Sequence, residues 1–367
     1  MDSEARWGSI GLAMRRTIEP LAPLNGRRAR VTDVARAAGV STATVDRVLN
    51  KRPGVRRATA QKVLRAAAAL DYLPEADAAA ALRPAPTKLV FLLPTGTNRF
   101  LHLLGDWIDF SDTHWSPYNV RCRCQFFEGF SPQALAESLL RYGRRADGIA
   151  FFAIEHPAVR EAVSVLVDKG IPVLTLISDL SHSRRIAYVG LDNRAAGRTA
   201  GYLLARFIGR RAGKVALIAG SRSYRAHEER EMGFLHVMEE LAPAMEVVGL
   251  REGHDDAERN YRQTRQLLAQ HADLVGIYNI GGASDGVGRA LKEASRDQTV
   301  VFIGHGLSPD TRGLLIDGTM DAVITQDPQS MVASCVRIFA NLRERREALA
   351  GIEPARISLV LRENLPA

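Results

Sequence analysis

The chain has 367 residues, too many for one small core and enough for two or three domains. An apolar fraction of 46% and a charged fraction of 25% are those of an ordinary globular protein and exclude wholesale disorder. The net charge of +8 is concentrated: residues 27–88 hold thirteen Lys and Arg against five Asp and Glu, and the rest of the chain balances to zero. That confinement predicts a short polyanion-binding module fused to a larger, electrically neutral domain. No apolar run approaches the ~20 residues that span a bilayer. The first residues also lack the basic start and apolar stretch of a signal peptide, so a cytoplasmic protein without membrane contact is expected. Cys122, Cys124 and Cys335 have no framework spacing, and no two histidines stand at HxxH or HxxxH spacing. Free thiols, no metal and no cofactor are the expectation.

In chain order, residues 1–29 show no sustained period and predict a flexible extension. Residues 30–74 read as an all-α helix-turn-helix module. Its first helix begins near Thr32 and ends at Gly39, where a tight turn needs a left-handed backbone. Ser41 then caps a second helix. Val34, Val40, Val45, Val48 and Leu49 are placed to form a shared core, and small Ala35 lets the helices cross closely. The other face of the second helix carries Ala43, Arg47 and Asn50 at i, i+4 and i+7, flanked by Thr42 and Asp46. Such a face fits a major groove. Arg47 suits a guanine, and Thr42 and Ala43 suit a thymine methyl. Thr44, Lys51, Arg52, Arg56 and Arg57 read as phosphate contacts. Residues 75–87 predict a hinge helix and linker, since Pro84 and Pro86 cannot continue a helix.

From residue 88 onward, apolar runs of strand length alternate with amphipathic helical stretches. The runs are Leu89–Leu93, Ile149–Ile154, Val173–Ile177, Val215–Ala219, Leu274–Ile280, Val300–Ile303 and Ala322–Ile324. Between them lie helical stretches such as Gln133–Tyr142, Val159–Val167, Gly197–Phe207, Glu229–Leu241 and Gly288–Ala294. This is the sequence form of parallel sheets covered on both faces, and about 280 residues predict two of them.

Val31–Asn50, followed by Val55, Thr59, Val63 and Asp71-Tyr72-Leu73-Pro74, resembles the headpiece of the lac-repressor family of bacterial transcription regulators. The neutral part resembles that family's core, a two-lobed α/β architecture of the type I periplasmic-binding-protein kind with two doubly wound parallel sheets. The resemblance implies an N-lobe of about 88–190 and 327–348 and a C-lobe of about 191–326 and 349–367. It also implies base reading by the residues matching Thr42, Ala43 and Arg47. Three departures from the family pattern lie in the basic segment. Asp46 stands where a serine often contacts phosphate, Glu75 replaces an asparagine, and Leu82 comes one residue later than the usual minor-groove leucine. One residue turns a helix by ~100°, so Leu82 either wedges into the minor groove or packs between two headpieces.

Matching patches in the core imply a ligand site made of Asn98, Arg99, Phe100, Ser178, Asp179, Tyr224, Arg230, Asn279, His305 and Gln326. Arginine donors, carboxylate acceptors and amides suit a neutral polyhydroxy ligand, and Phe100 and Tyr224 suit its apolar ring face. Each also has a plainer role open to it, such as a surface ion pair for Arg230 or a turn for Asn279. Gly304-His305-Gly306 stands where the family has Gly-Phe-Asp, so an acceptor carboxylate is missing there. The expected function is a repressor rather than an activator, acting as a homodimer or tetramer on a pseudo-palindromic double-stranded DNA operator. Its expected effector is a sugar or cyclitol bound between the lobes.

Two alternatives stand beside it. One is a ligand-binding core without transcriptional response. The other is an α/β hydrolase using Ser284, because Gly282-Ala283-Ser284-Asp285-Gly286 fits the G-x-S-x-G pattern. A hydrolase needs an acid and then a histidine later in the chain. His305 is the only histidine after Ser284 and leaves no room for an acid-bearing strand between them, so no enzymatic activity is expected.

Overall fold

The computed structural model describes residues 28–74, 77, 85–110, 115, 118–209 and 211–366. The chain divides into two compact units, residues 1–85 and 86–367. Glu75 and Leu82, named above for the hinge, lie outside the described residues.

The smaller unit contains α1 (Val31–Ala38), α2 (Thr42–Leu49) and α3 (Arg57–Ala69). The Arg30 amide donates to the Asp33 carboxylate at 2.9 Å and fixes the entry to α1. Gly39, at φ 66°, ends that helix in the left-handed region and returns its N–H to Ala35 and Arg36. Two residues later the Ser41 hydroxyl accepts the Thr44 N–H at 3.2 Å and starts α2. Val34, Ala35, Val45, Val63 and Ala67 form the buried core, and Val40, Val48, Leu49, Tyr72 and Leu73 pack around it.

The larger unit holds two sheets. The first is built from β1 (Thr87–Pro94), β2 (Val120–Phe127), β3 (Gly148–Phe151), β4 (Val173–Leu176) and β5 (Ala187–Val189), in the order β2-β1-β3-β4-β5. All its pairings are parallel, with α4 (Arg99–Phe110), α5 (Pro132–Gly143) and α6 (Pro157–Asp168) in the connections. The second sheet has the order β11-β10-β9-β8-β6-β7. Its strands are β6 (Gly213–Ala219), β7 (Met245–Glu252), β8 (Leu274–Asn279), β9 (Val301–His305), β10 (Ala322–Thr325) and β11 (Ser358–Val360). Only β11 runs antiparallel to its neighbour. The helices of this lobe are α7 (Asn193–Ile208), α8 (Arg225–Leu241), α9 (Ala257–Gln270), α10 (Ser284–Glu293) and α11 (Pro309–Ile316).

Chain crossings make the two sheets one body. After β5 the chain enters the second lobe, where Leu191 joins the core. After β10 it returns as α12 (Pro328–Arg343), which buries Met331, Val332, Cys335, Val336, Ile338 and Phe339 against the first sheet. A third crossing falls between Ile352, packed on the first lobe, and Ala355, packed on the second. Cys122 and Cys124 lie on one buried face of β2, and Cys335 is buried as well. Burial, then the neighbouring Asp109 and Asp106, push the Cys124 thiol up to about 12. Among the described residues no helix is long and apolar enough to cross a membrane.

Helices α7 and α8 cross at glycines. A Cβ on Gly197 would meet the Arg230 carbonyl oxygen at 2.0 Å, and one on Gly233 would meet that of Arg194 at 2.1 Å. Both obstacles are backbone, so a side chain forces the helices apart. Gly197→Ala is therefore expected to cost about 3 kcal/mol or more, the upper end of overpacking penalties. The denaturation midpoint measures it, and an unshifted midpoint would show that the crossing yields freely.

Candidate functional site

In the smaller unit, Thr42, Ala43, Asp46, Arg47 and Asn50 are all exposed; Ala43, Arg47 and Asn50 share the face of α2 opposite Val45, and Thr42 and Asp46 flank it. Thr44 is half-buried, and its hydroxyl lies 2.9 Å from that of Ser41, within the cap. Lys51 takes a left-handed conformation at φ 53°, and Lys51, Arg52, Arg56 and Arg57, in and after the turn that follows α2, are all exposed. Asp46 is paired locally. Its carboxylate accepts from the Asn50 amide at 2.7 Å and from Arg52 Nη1 at 3.1 Å.

In the larger unit, a cavity of about 50 Å³ lies between the two sheets at the carboxyl ends of their strands. Of the ten residues expected there, Asn98, Phe100, Arg230, His305 and Gln326 line it. The other five lie outside its lining. Arg99 is exposed on α4. Ser178 is buried, and its hydroxyl accepts the Ala226 N–H at 3.4 Å. Asp179 accepts from Thr175 at 2.6 Å and from two guanidinium nitrogens of Arg185. Burial pushes its carboxyl up, but these bonds outweigh it and hold the group below the usual range. The Tyr224 ring, from the second lobe, is buried in the first lobe's core against Phe130 and Phe152. Asn279 donates to the Gly282 carbonyl and to Ser284 Oγ, both at 2.9 Å.

The cavity also has a carboxylate that sequence reasoning missed. Asp255 is buried and lines it, with Oδ1 accepting from the Gly282 N–H at 2.7 Å and Oδ2 from Asn98 at 3.0 Å. The second of these bonds joins the two lobes, as does one from the Thr97 hydroxyl to the Asp255 carbonyl. Glycine at 282 permits the approach, since a Cβ there would stand 2.5 Å from Asn98 Nδ2. A carboxylate thus reaches the cavity from the loop after β7, far from Gly306 in the chain.

Arg230 is buried, and Nε donates to Asn193 Oδ1 at 2.8 Å while Nη1 donates to the Ile280 carbonyl at 2.9 Å. Among the described residues it makes no ion pair. Desolvation leads the opposing effects on its pKa and lowers it. His227 also lines the cavity, its Nδ1 held by the backbone of Ser221, and burial above all pushes it down to about 4. His305, with Nε2 2.6 Å from the Tyr278 hydroxyl, is pushed well below the usual range by burial, then by Arg230 and His227. Both imidazoles are consequently neutral at neutral pH. The lining then presents one cation, one anion, neutral imidazoles and amides, beside the Phe100 and Phe152 rings.

Ser284 opens α10 after Ala283, which takes φ 54°. Its hydroxyl is buried and accepts from Asn279, and its place is outside the cavity lining. Among the described residues no group of three or more His, Cys, Asp or Glu could hold a metal ion.

Comparison with known proteins agrees with both units. Residues 30–75 match the model described as bacterial regulatory proteins, lacI family, and residues 133–347 match a periplasmic binding protein domain. A helix-turn-helix transcriptional regulator encoded in the aml 5′ region of Streptomyces limosus, itself uncharacterized, is 30% identical over 338 residues. That match covers 90% of this chain and 88% of the relative. The transcriptional repressor PurR of Pectobacterium carotovorum is 27% identical over 254 residues, 68% of this chain and 71% of the relative. Among solved structures, the glucose-galactose binding protein GanP of Geobacillus stearothermophilus shares the core fold at TM-score 0.69 and 22% identity, covering 77% of this chain and all of that one. A periplasmic solute binding protein of Actinobacillus succinogenes, solved with D-allose, does so at TM-score 0.68 and 20% identity, covering 76% of this chain and 98% of that one. With the headpiece matched by its own model and a full-length relative at this identity, the chain belongs to the lacI family of bacterial regulatory proteins and is a DNA-binding transcription regulator with a periplasmic-binding-protein-like core.

Proposed function

We propose that this regulator is a repressor whose hold on its operator is set by a small neutral polyhydroxy ligand, a sugar or cyclitol, bound in the cavity around Arg230 and Asp255. The observation that carries this reading is Gln326. Its amide lines the cavity, and its Oε1 is buried with no hydrogen-bond partner. A buried acceptor left unpaired costs about 1–3 kcal/mol, which a ligand hydroxyl would relieve. Arg230 adds donors, Asp255 an acceptor and Phe100 an apolar ring face, the set a sugar needs. The named repressor among the relatives and the sugar-binding proteins of like fold support the same reading.

At about 50 Å³ the cavity has room for only a few water molecules. A sugar therefore enters by parting the lobes, which breaks the Asn98–Asp255 bond. Binding is then coupled to a change of lobe arrangement, and a ligand that prefers one arrangement shifts the population. The regulator acts in the cytoplasm as a homodimer, whose two-fold symmetry suits a pseudo-palindromic operator. It catalyses no reaction: Ser284 is engaged by Asn279, and no strand lies between the helix that Ser284 opens and β9, which ends in His305, to carry the acid a hydrolase requires.

A thermal-shift screen of the full chain against aldoses, sugar alcohols and cyclitols tests the ligand class. A ligand at a hundred times its Kd stabilises by about 2.7 kcal/mol, and one chemical class is expected to raise Tm clearly. A panel without any shift would remove the polyhydroxy ligand from the account.

A further inference from the structure

An acidic side chain on the exposed face of a basic DNA-binding module is unexpected on two counts. It repels phosphate, and at Asp46 it lies in the last turn of α2, where a negative charge opposes the helix dipole. Neither affinity for DNA nor helix stability accounts for it. Its contacts point to another purpose. Asp46 Oδ2 lies 3.1 Å from Arg52 Nη1, and the two side chains are 51% and 64% exposed, so the pair stands on the surface instead of serving the core. The Asn50 amide donates to Asp46 Oδ1 at 2.7 Å and to the Asp46 carbonyl at 3.1 Å. Both of its hydrogens are thereby used, and Asn50 offers DNA only an acceptor.

We propose that Asp46 restrains sequence-independent binding: it occupies Arg52 and the Asn50 donors in an intramolecular network and cancels one positive charge at the surface that meets phosphate. The headpiece then depends more on its base contacts, above all Arg47, to hold DNA. Weakening the non-specific term while leaving the base contacts intact raises the specificity ratio, the quantity that counts against a genome of competing sites. The inference rests on the exposed face of α2 being the one that meets DNA.

The test is a salt titration of full-length wild type, Asp46→Asn, Arg52→Ala and the double variant. The probes are a mixed-sequence duplex and the tightest duplex that wild type selects from a randomised pool. Asp46→Asn is expected to bind the mixed-sequence duplex several-fold more tightly, with the slope of log K against log salt steeper by ~0.9 for the phosphate contact that Arg52 gains. The ratio of selected to mixed-sequence affinity should fall. Arg52→Ala should weaken mixed-sequence binding less in wild type, where Asp46 already occupies the guanidinium, than in the Asp46→Asn background, where it should cancel the gain. Unchanged mixed-sequence binding and slope in Asp46→Asn would overturn the proposal. So would weaker binding to both duplexes by a variant with wild-type thermal stability, since Asp46 would then position Arg52 for DNA. Arg47→Ala in the same series separates the two levels. If it leaves selected-duplex binding intact, the assignment of the DNA-facing surface fails; if it alone weakens that binding, only the role of Asp46 fails.

Discussion

Replacing Arg230 with methionine is expected to leave the core folded and to remove most of its affinity for the effector. The guanidinium is buried and held by Asn193 and Ile280, with unused donors toward the cavity. Two charge-assisted hydrogen bonds to a ligand, at about 1.5 kcal/mol or more each, make the loss ~3 kcal/mol, which is over a hundredfold in Kd. Stability should change much less. Asn193 Oδ1 and the Ile280 carbonyl lose donors, but the cost of burying an unpaired cation disappears with the side chain, and methionine fills similar space. Calorimetry with the effector, beside a denaturant titration, separates the outcomes. Unchanged affinity would take Arg230 out of the site, and collapse of the fold would make it a structural residue.

Arg47→Ala is expected to cost about 1–3 kcal/mol on the operator and to relax discrimination at one base position. On random DNA the loss should be no more than that of a single phosphate contact. The reason lies in the local fold. Gly39 and the Ser41 cap fix where α2 begins, Val45 anchors its inner side, and Arg47 stands exposed on the opposite face without an ion pair among the described residues. Titrations against the operator and its single-base variants measure the effect. Equal losses on operator and random DNA would make Arg47 a phosphate contact and no reader of sequence.

The helix-turn-helix was legible because each of its signals is local: a glycine at the turn, a serine three residues before Thr44, and valines at helical spacing. The central strands were legible for a similar reason. Buried on both faces, β3, β4 and β10 appear as nearly continuous apolar runs, with Thr175 inside β4 and Thr325 at the end of β10. The half-buried edge strand β7 and the short β5 and β11 have no such run, and they emerge only from pairing. The cavity between the sheets was half legible. Arg230 and Gln326 stand in recognisable patches, whereas Asp255 follows an irregular strand and meets Asn98 only once both lobes are folded. Tyr224 shows the converse. An aromatic ring after a strand reads as a ligand platform, and in three dimensions it is packed across the lobe boundary beside Phe130 and Phe152. Asp179 likewise looks like an acceptor for a ligand until Arg185, six residues on, is seen to hold it.

The most direct measurement is operator occupancy of the full-length protein as the effector found in the thermal-shift screen is added. The account predicts a saturable change in operator affinity over the same concentration range in which calorimetry shows binding. The Arg230→Met protein should bind the operator normally and fail to respond. An operator affinity indifferent to saturating effector would contradict the account and leave the core a ligand-binding domain without control over DNA.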